Sequence, residues 1–250
     1  SMRLEYLSLS SNGLNGEIPS AISSMKNLTS LDLAMNNLAG TLPSQLGQLT
    51  SLEELSLNGN NLQGSLVSDL FSDLSRLRSV YLYDNDFNDT FPSSISNAEY
   101  LTVLDIHNNR FSGAILENVV ELSKLQILNV QYNLFQEAFP SSVGGLESIK
   151  QLGVGSNNFT GVLPSDISTL TNLEVLNLMD NDLSGELPEN IGSLTKLMYL
   201  VLAGNSFNGT LPSSLGELKD LIFLDASYNS LSGEIPTGIG NMGALEYLSL

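Results

Sequence analysis

Asparagine recurs at Asn12, Asn36, Asn60, Asn85, Asn109, Asn133, Asn157, Asn181, Asn205 and Asn229, each step being 24 residues except one of 25 between Asn60 and Asn85. A period of that length along a whole chain means stacked units, each packing on its neighbours, rather than one folded-in core. Every asparagine closes a run L-x-x-L-x-L-x-x-N. The first is Leu4-Glu5-Tyr6-Leu7-Ser8-Leu9-Ser10-Ser11-Asn12, and a later one runs from Leu173 to Asn181. A second signal falls in the other half of each unit, as in Gly16-Glu17-Ile18-Pro19, Gly40-Thr41-Leu42-Pro43 and Gly185-Glu186-Leu187-Pro188. All eight prolines (Pro19, Pro43, Pro92, Pro140, Pro164, Pro188, Pro212 and Pro236) hold that one position.

The residues dictate a unit. In Leu28-x-x-Leu31-x-Leu33 the last two leucines are two apart, so they share one face of a short strand. Strands of successive units can then lie side by side about 4.8 Å apart, with leucines inside and the intervening residues outside. The asparagine follows the strand at a corner, where a side-chain amide can satisfy backbone groups that no ladder reaches. Glycine then permits a bend, and proline, with fixed φ and no donor, cannot lie inside a regular sheet. In Ser44-Gln45-Leu46-Gly47-Gln48-Leu49 the apolar residues are three apart, which predicts a turn or two of 3₁₀ or α-helix on the outer side.

The run L-x-x-L-x-L-x-x-N followed by L-S-G-x-I-P resembles the plant-type leucine-rich repeat over essentially all 250 residues. The resemblance implies an α/β solenoid: a curved superhelix with a concave parallel β-sheet, short flanking strands, and 3₁₀ or short helices on the convex side. Residues 1–250 read as a single domain of about ten complete repeats. The pattern departs in the middle: Val67 and Leu116 stand where proline is expected, Asp89 and Glu137 where glycine is, and the third unit is one residue longer. The chain starts near a strand leucine and stops within another strand, Leu245-Glu246-Tyr247-Leu248-Ser249-Leu250, which repeats Leu4 to Leu9 letter for letter. Both ends are expected to lack polar caps, which suits an interior piece of a longer protein or head-to-tail stacking. Ser1-Met2 reads as a remnant of expression.

Composition narrows the function. No apolar run reaches the roughly 18–20 residues that span a membrane, so no membrane contact is expected of this segment. The net charge of −18 argues against nucleic acid and anionic surfaces as partners. So acidic a coat is less expected of a land plant than of a marine alga or protist. With one histidine and no cysteine, a zinc or Cys–His site is excluded. Asp105 and His107 share a strand face, but an open repeated surface gives no desolvated pocket or oxyanion hole, and no enzyme, cofactor or metal is expected. Four N-x-S/T sequons, at Asn27, Asn88, Asn158 and Asn208, are candidate glycosylation sites, three of them expected in the turn after the strand.

The informative surface is the concave one, where the non-leucine positions of each strand form columns. Over the fourth to sixth units these columns bring Tyr81, Tyr83, Asp84, Asp105, His107, Gln131 and Tyr132 together, where other units carry mostly serine, asparagine, glycine or alanine. Exposed aromatics are favoured anchors, so these seven are the predicted ligand-binding residues. Met198, Tyr199, Val201, Ile222 and Phe223 form a second, more apolar patch. Acids outnumber bases in the columns, which fits a cationic or donor-rich partner. The resemblance implies a non-catalytic extracellular recognition domain, as in receptor-like proteins, binding a protein or peptide ligand, with a co-receptor or a second copy as a further partner. A cell-surface or wall scaffold, or a secreted inhibitor of a wall-degrading enzyme, are the other classes it implies.

Overall fold

The computed structural model describes residues 3–250, so Ser1 and Met2 lie outside the described residues. Eleven three-residue strands, from Tyr6–Ser8 to Tyr247–Ser249, form one parallel sheet in strict chain order. Leu7 pairs with Leu31 and Leu31 with Leu55, so the register of the sheet is the period of the sequence. The middle residue of each strand points inward: Leu31, Leu55, Val80, Leu104, Leu128 and Leu152 are all fully buried. The residues on either side of it point outward, as period-2 alternation requires. A second apolar row runs through the interior of the middle units. Phe87, Phe111, Phe135 and Phe159 are fully buried, with successive ring centroids 5.8, 6.4 and 6.4 Å apart.

The asparagine column holds the corners. Asn133 Oδ1 accepts the Phe111 N–H at 2.9 Å, while its Nδ2 donates to the carbonyls of Ile106, Val130 and Gln131 at 3.0, 3.1 and 3.2 Å. One side chain thus ties its own turn to the two segments of the preceding unit. The carbonyls are shared: Ile106 O also accepts from Asn109, and Val130 O from Asn157. The residue before each asparagine is left-handed. Ser11, Met35, Asp84, Asn108, Tyr132, Ser156, Asp180 and Tyr228 all have φ between 49 and 56°, and Gly59 and Gly204 fill the same column at 65 and 69°. Such a conformation is costly for a residue with a Cβ, and its recurrence shows that the corner imposes it.

The other half of the unit follows its proline. Each of the eight prolines immediately precedes a five-residue 3₁₀ helix, from Ser20–Ser24 to Thr237–Asn241. Where Val67 replaces proline the segment forms turns, and where Leu116 does it forms an α-helical turn, Leu116–Val119. Flanking strands make a six-stranded parallel sheet from Asn15–Gly16 to Leu134–Phe135 and a three-stranded one from Thr160–Val162 to Ser206–Asn208. They are joined by the single bridge Ala138–Thr160.

The departures at glycine have two different outcomes. Asp89 keeps the left-handed bend at φ 70°, which aspartate tolerates better than most residues. Glu137 instead turns its side chain inward, and its Oε1 accepts the N–H groups of Ile115 and Leu116 at 2.6 and 2.7 Å. Proline at 116 would have no N–H to offer. The glutamate of the sixth unit therefore answers the missing proline of the fifth, and two departures in the sequence are one interaction in space. Its other oxygen, Oε2, is buried without a hydrogen-bond partner, and burial pushes the carboxyl pKa up although the backbone donors oppose it.

Candidate functional site

The concave face is the outer surface of the long sheet, and its middle strands gather the polar and aromatic side chains. Tyr81 ends the strand Ser79–Tyr81 and Asp105 ends its neighbour Val103–Asp105, in register with it. Tyr83 and His107, two residues further on, stack with ring centroids 4.6 Å apart and planes 11° from parallel. His107 Nδ1 lies 2.6 Å from Asp105 Oδ1, a distance that places the proton on Nδ1 between them. That hydrogen bond is the main cause of a raised His107 pKa; burial opposes it, and the charges of Asp105 and Asp84 add to it. The Tyr83 hydroxyl pKa is also raised, first by burial and then by the charges of Asp105 and Asp84.

Carboxamides carry the network onward. Asn129 Oδ1 accepts from Gln131 Nε2 at 2.9 Å, and Gln131 Oε1 accepts from Asn177 Nδ2 at 2.7 Å, although the last two residues are 46 positions apart. The span is open because Gly153 lies beneath it: a Cβ there would meet Gln131 Nε2 at 2.8 Å.

Two hollows flank this ridge, and Tyr81 lines both. One, of about 240 Å³, is walled by Val103, Ile127 and Val175 on its apolar side and by Asp105, Asn129 and Gln131 on its polar side. The other, of about 380 Å³, lies between Tyr81 and Tyr83 and the acids Asp32 and Glu54. Burial pushes the Asp32 pKa up, but hydrogen bonds from Ser10, Ser8 and the Ala34 N–H outweigh it and leave the pKa lowered. Glu54 accepts from Ser30 Oγ at 3.2 Å. Among the described residues neither acid has a basic partner, the ion pairs being Arg78–Glu53, His107–Asp105 and Arg110–Asp86.

Of the predicted residues, Tyr81, Tyr83, Asp105, His107 and Gln131 meet in this ridge. Asp84 and Tyr132 do not share the strand face with them: both sit in the left-handed corner. Asp84 accepts from Asn108 Nδ2 at 2.6 Å, and Tyr132 stands 54% exposed, lining neither hollow. The glycines Gly59 and Gly204 in that column were the available signal of a corner. Residues outside the seven predicted ones complete the site, namely Asp32 and Glu54, two of the column acids, and Asn129, Gly153 and Asn177. The second patch is an aromatic ladder that extends past its predicted limits. Tyr199 and Phe223 are 6.4 Å apart, and Phe223 stacks on Tyr247 at 4.3 Å. Met198, Val201 and Ile222 lie beside it, half-buried.

Of the three sequons expected in the turn after the strand, Asn158 lies there and the other two do not. Asn88 and Asn208 lie within flanking strands, Asp86–Thr90 and Ser206–Asn208, rather than in turns. Asn158 precedes the strand Thr160–Val162, and Asn27 precedes the strand Ser30–Asp32. All four are exposed. Among the described residues no helix is long and apolar enough to cross a membrane, and no serine hydroxyl hydrogen-bonds to His107.

Family models for leucine-rich repeats match residues 2–62, 51–74, 76–98, 100–122, 123–183 and 165–250. The chain belongs to the leucine-rich repeat family. Its repeats are of the plant type seen in plant receptor chains of known structure. One is the plant peptide hormone receptor RGFR1 in complex with RGF2, 35% identical with a TM-score of 0.96, over 98% of this chain and 39% of that one. Another is the Arabidopsis receptor kinase HAESA in complex with the peptide hormone IDA and the co-receptor SERK1, 30% identical with a TM-score of 0.85, over 98% of this chain and 45% of that one. The chain thus spans about two fifths of the length of those receptors. A plant ice-binding protein has the same architecture, 26% identical with a TM-score of 0.80, over 93% of this chain and 74% of that one. No curated protein matches the chain.

Proposed function

We propose that this solenoid is a non-catalytic, extracellular recognition domain that binds a peptide or an extended protein segment across its concave face. The ridge of Tyr81, Tyr83, Asp105, His107 and Gln131 is the centre of the site, and residues 1–250 act as one unit. The observation that carries the reading is Tyr81, which lines both hollows, beside the stacked Tyr83–His107 pair, in columns that elsewhere carry mostly small or polar side chains. Rigid aromatics beside open hollows are what an interface anchor needs. The likeness to receptors crystallised with peptide hormones supports a peptide as ligand, and the co-receptor in one of them supports a second protein partner. The same fold in an ice-binding protein is a reminder that the solenoid alone does not choose; the side chains on it do.

The finer features follow from charge and sequence. Asp32 and Glu54, without basic partners, suit a cationic group of the ligand near Tyr81 and Tyr83, where a ring face adds attraction. Glycans at Asn27, Asn88, Asn158 and Asn208 would mark passage through a secretory pathway. The test is selection of binders from a random peptide display library on the native protein, with counter-selection on Tyr83→Ala. Enrichment of basic sequences that the variant fails to retain supports the reading. A library that yields the same sequences on both proteins, or none, overturns it.

A further inference from the structure

The nine lysines and arginines in this acidic chain are not scattered evenly. Five are used or distant. Lys26 donates to Gln48, Arg110 pairs with Asp86, Lys196 donates to Asn172, Lys219 donates to the Gly216 carbonyl, and Arg3 stands at the start of the chain. The other four, Arg76, Arg78, Lys124 and Lys150, fall on one stretch of the lateral rim, where the chain enters the strands of the concave sheet. Backbone hydrogen bonds fix the order of the inner row: Thr102 N–H donates to Arg78 O, Gln126 N–H to Thr102 O and Lys150 N–H to Gln126 O. Arg78 and Lys150 therefore stand three strand spacings apart, about 14 Å. Arg76, Tyr100 and Lys124 hold equivalent positions two residues earlier in successive units, forming an outer row. Lys124 Nζ sits 3.8 Å from the Tyr100 ring centroid.

Glu53, Arg76, Arg78 and Tyr100 enclose an open hollow of about 350 Å³. Its one acid, Glu53, is already engaged with Arg78 at 3.2 Å. Among the described residues the side chains of Arg76 and Lys150 make no hydrogen bond or ion pair, and both residues are exposed. A free guanidinium beside a tyrosine, with further cations on either side, is donor-rich and poor in acceptors. It suits an oxyanion, held by the forked donors of arginine. This sign is opposite to that of the Asp32–Glu54 hollow, which Tyr81 lines.

We propose that the rim hollow of Arg76, Arg78 and Tyr100 is a second subsite that binds a carboxylate of an acidic peptide segment. The assignment rests on the peptide-recognition reading above. The hollow is continuous with that surface, since Arg78 directly precedes the strand Ser79–Tyr81, whose last residue belongs to the ridge. A segment lying on Tyr81 reaches Arg78 within about 10 Å, roughly three extended residues. The ligand class is thereby sharpened. It carries a basic group toward Asp32 and Glu54 and an acidic one about three residues beyond the ridge, and the two subsites of opposite sign fix its direction along the solenoid.

The test uses the native protein and an amide-capped hexaglutamate peptide, titrated by calorimetry at low and moderate salt. The comparison set is Arg76→Gln and the flank control Arg110→Gln. We expect Arg76→Gln to weaken hexaglutamate at least tenfold and Arg110→Gln to leave it within twofold. A basic peptide selected on the ridge is titrated on the native protein in parallel, so that failure of the ridge and failure of the rim are read separately. An oligogalacturonate of equal charge is the second probe. Tighter binding of that probe through the same arginine overturns the peptide assignment in favour of an acidic polysaccharide. Equal effects of Arg76→Gln and Arg110→Gln, or no binding of hexaglutamate, overturn the site itself.

Discussion

Replacing Asn133 with alanine tests the structural account of the repeat at a defined place. The side chain makes four hydrogen bonds, yet its removal does not strand four groups. Ile106 O keeps Asn109, Val130 O keeps Asn157, and Gln131 O keeps the Asn108 N–H at 3.0 Å. Only the Phe111 N–H, which has Asn133 Oδ1 as its partner, is left buried and unpaired. One such orphan costs about 1–3 kcal/mol, and that is the expected loss. Asn133→Asp should cost more near neutral pH. It retains an acceptor for Phe111 but turns a carboxylate oxygen toward three carbonyls that had received an N–H. Urea unfolding measures both variants through the midpoint at unchanged slope. Because stability in a repeat array is a sum of local terms, hydrogen exchange over the fifth and sixth units should locate the loss. An unchanged midpoint for Asn133→Ala, or a milder effect for the aspartate, would refute the reasoning.

Three further outcomes are expected. Glu137 has a raised pKa, so the neutral form suits the fold and its contribution to stability is lost as pH rises through the folded value. Glu137→Gln should therefore raise the urea midpoint at pH 7, and the gain over wild type should vanish well below pH 4.5, the ordinary value. His107 is also raised, by its bond to Asp105, so the stabilisation it gives is complete below pH 6.5 and lost as pH rises through the folded value. His107→Gln should flatten the pH dependence of thermal stability across that window, and a profile identical to wild type counts against the Asp105–His107 bond. Protein secreted from a eukaryotic host should carry N-glycans at one or more of the four exposed sequons; an intact mass equal to the bare polypeptide would contradict the extracellular assignment.

Much of this architecture is legible in the residues. The leucine spacing specifies the strands, the asparagine step equals the sheet register, and each proline marks the start of a 3₁₀ helix, because all three are local constraints repeated many times. The site is less legible, for physical reasons. Tyr132 and Asp84 read as strand residues by their distance from the leucines, but the corner imposes a left-handed backbone and swings them off the face. Gln131 reaches Asn177 only because Gly153 leaves room, a contact across two units that no local pattern encodes. The Leu116 and Glu137 departures look like separate drift until the fold sets one against the other. The rim hollow escaped because Arg76 and Tyr100 lie just before the first leucine of their units, outside the columns that face the concave side.

The claim that the concave ridge recognises a peptide stands most directly on the affinity of one selected peptide for Tyr83→Ala, compared with a convex-side control, Gln48→Ala. Truncating a packed aromatic anchor commonly costs about 2 kcal/mol, roughly a thirtyfold change in Kd. The account predicts that loss for Tyr83→Ala and wild-type affinity for Gln48→Ala. Equal affinity in the two variants would contradict it and move the site elsewhere on the solenoid, the Tyr199–Phe223–Tyr247 ladder being the next surface to test.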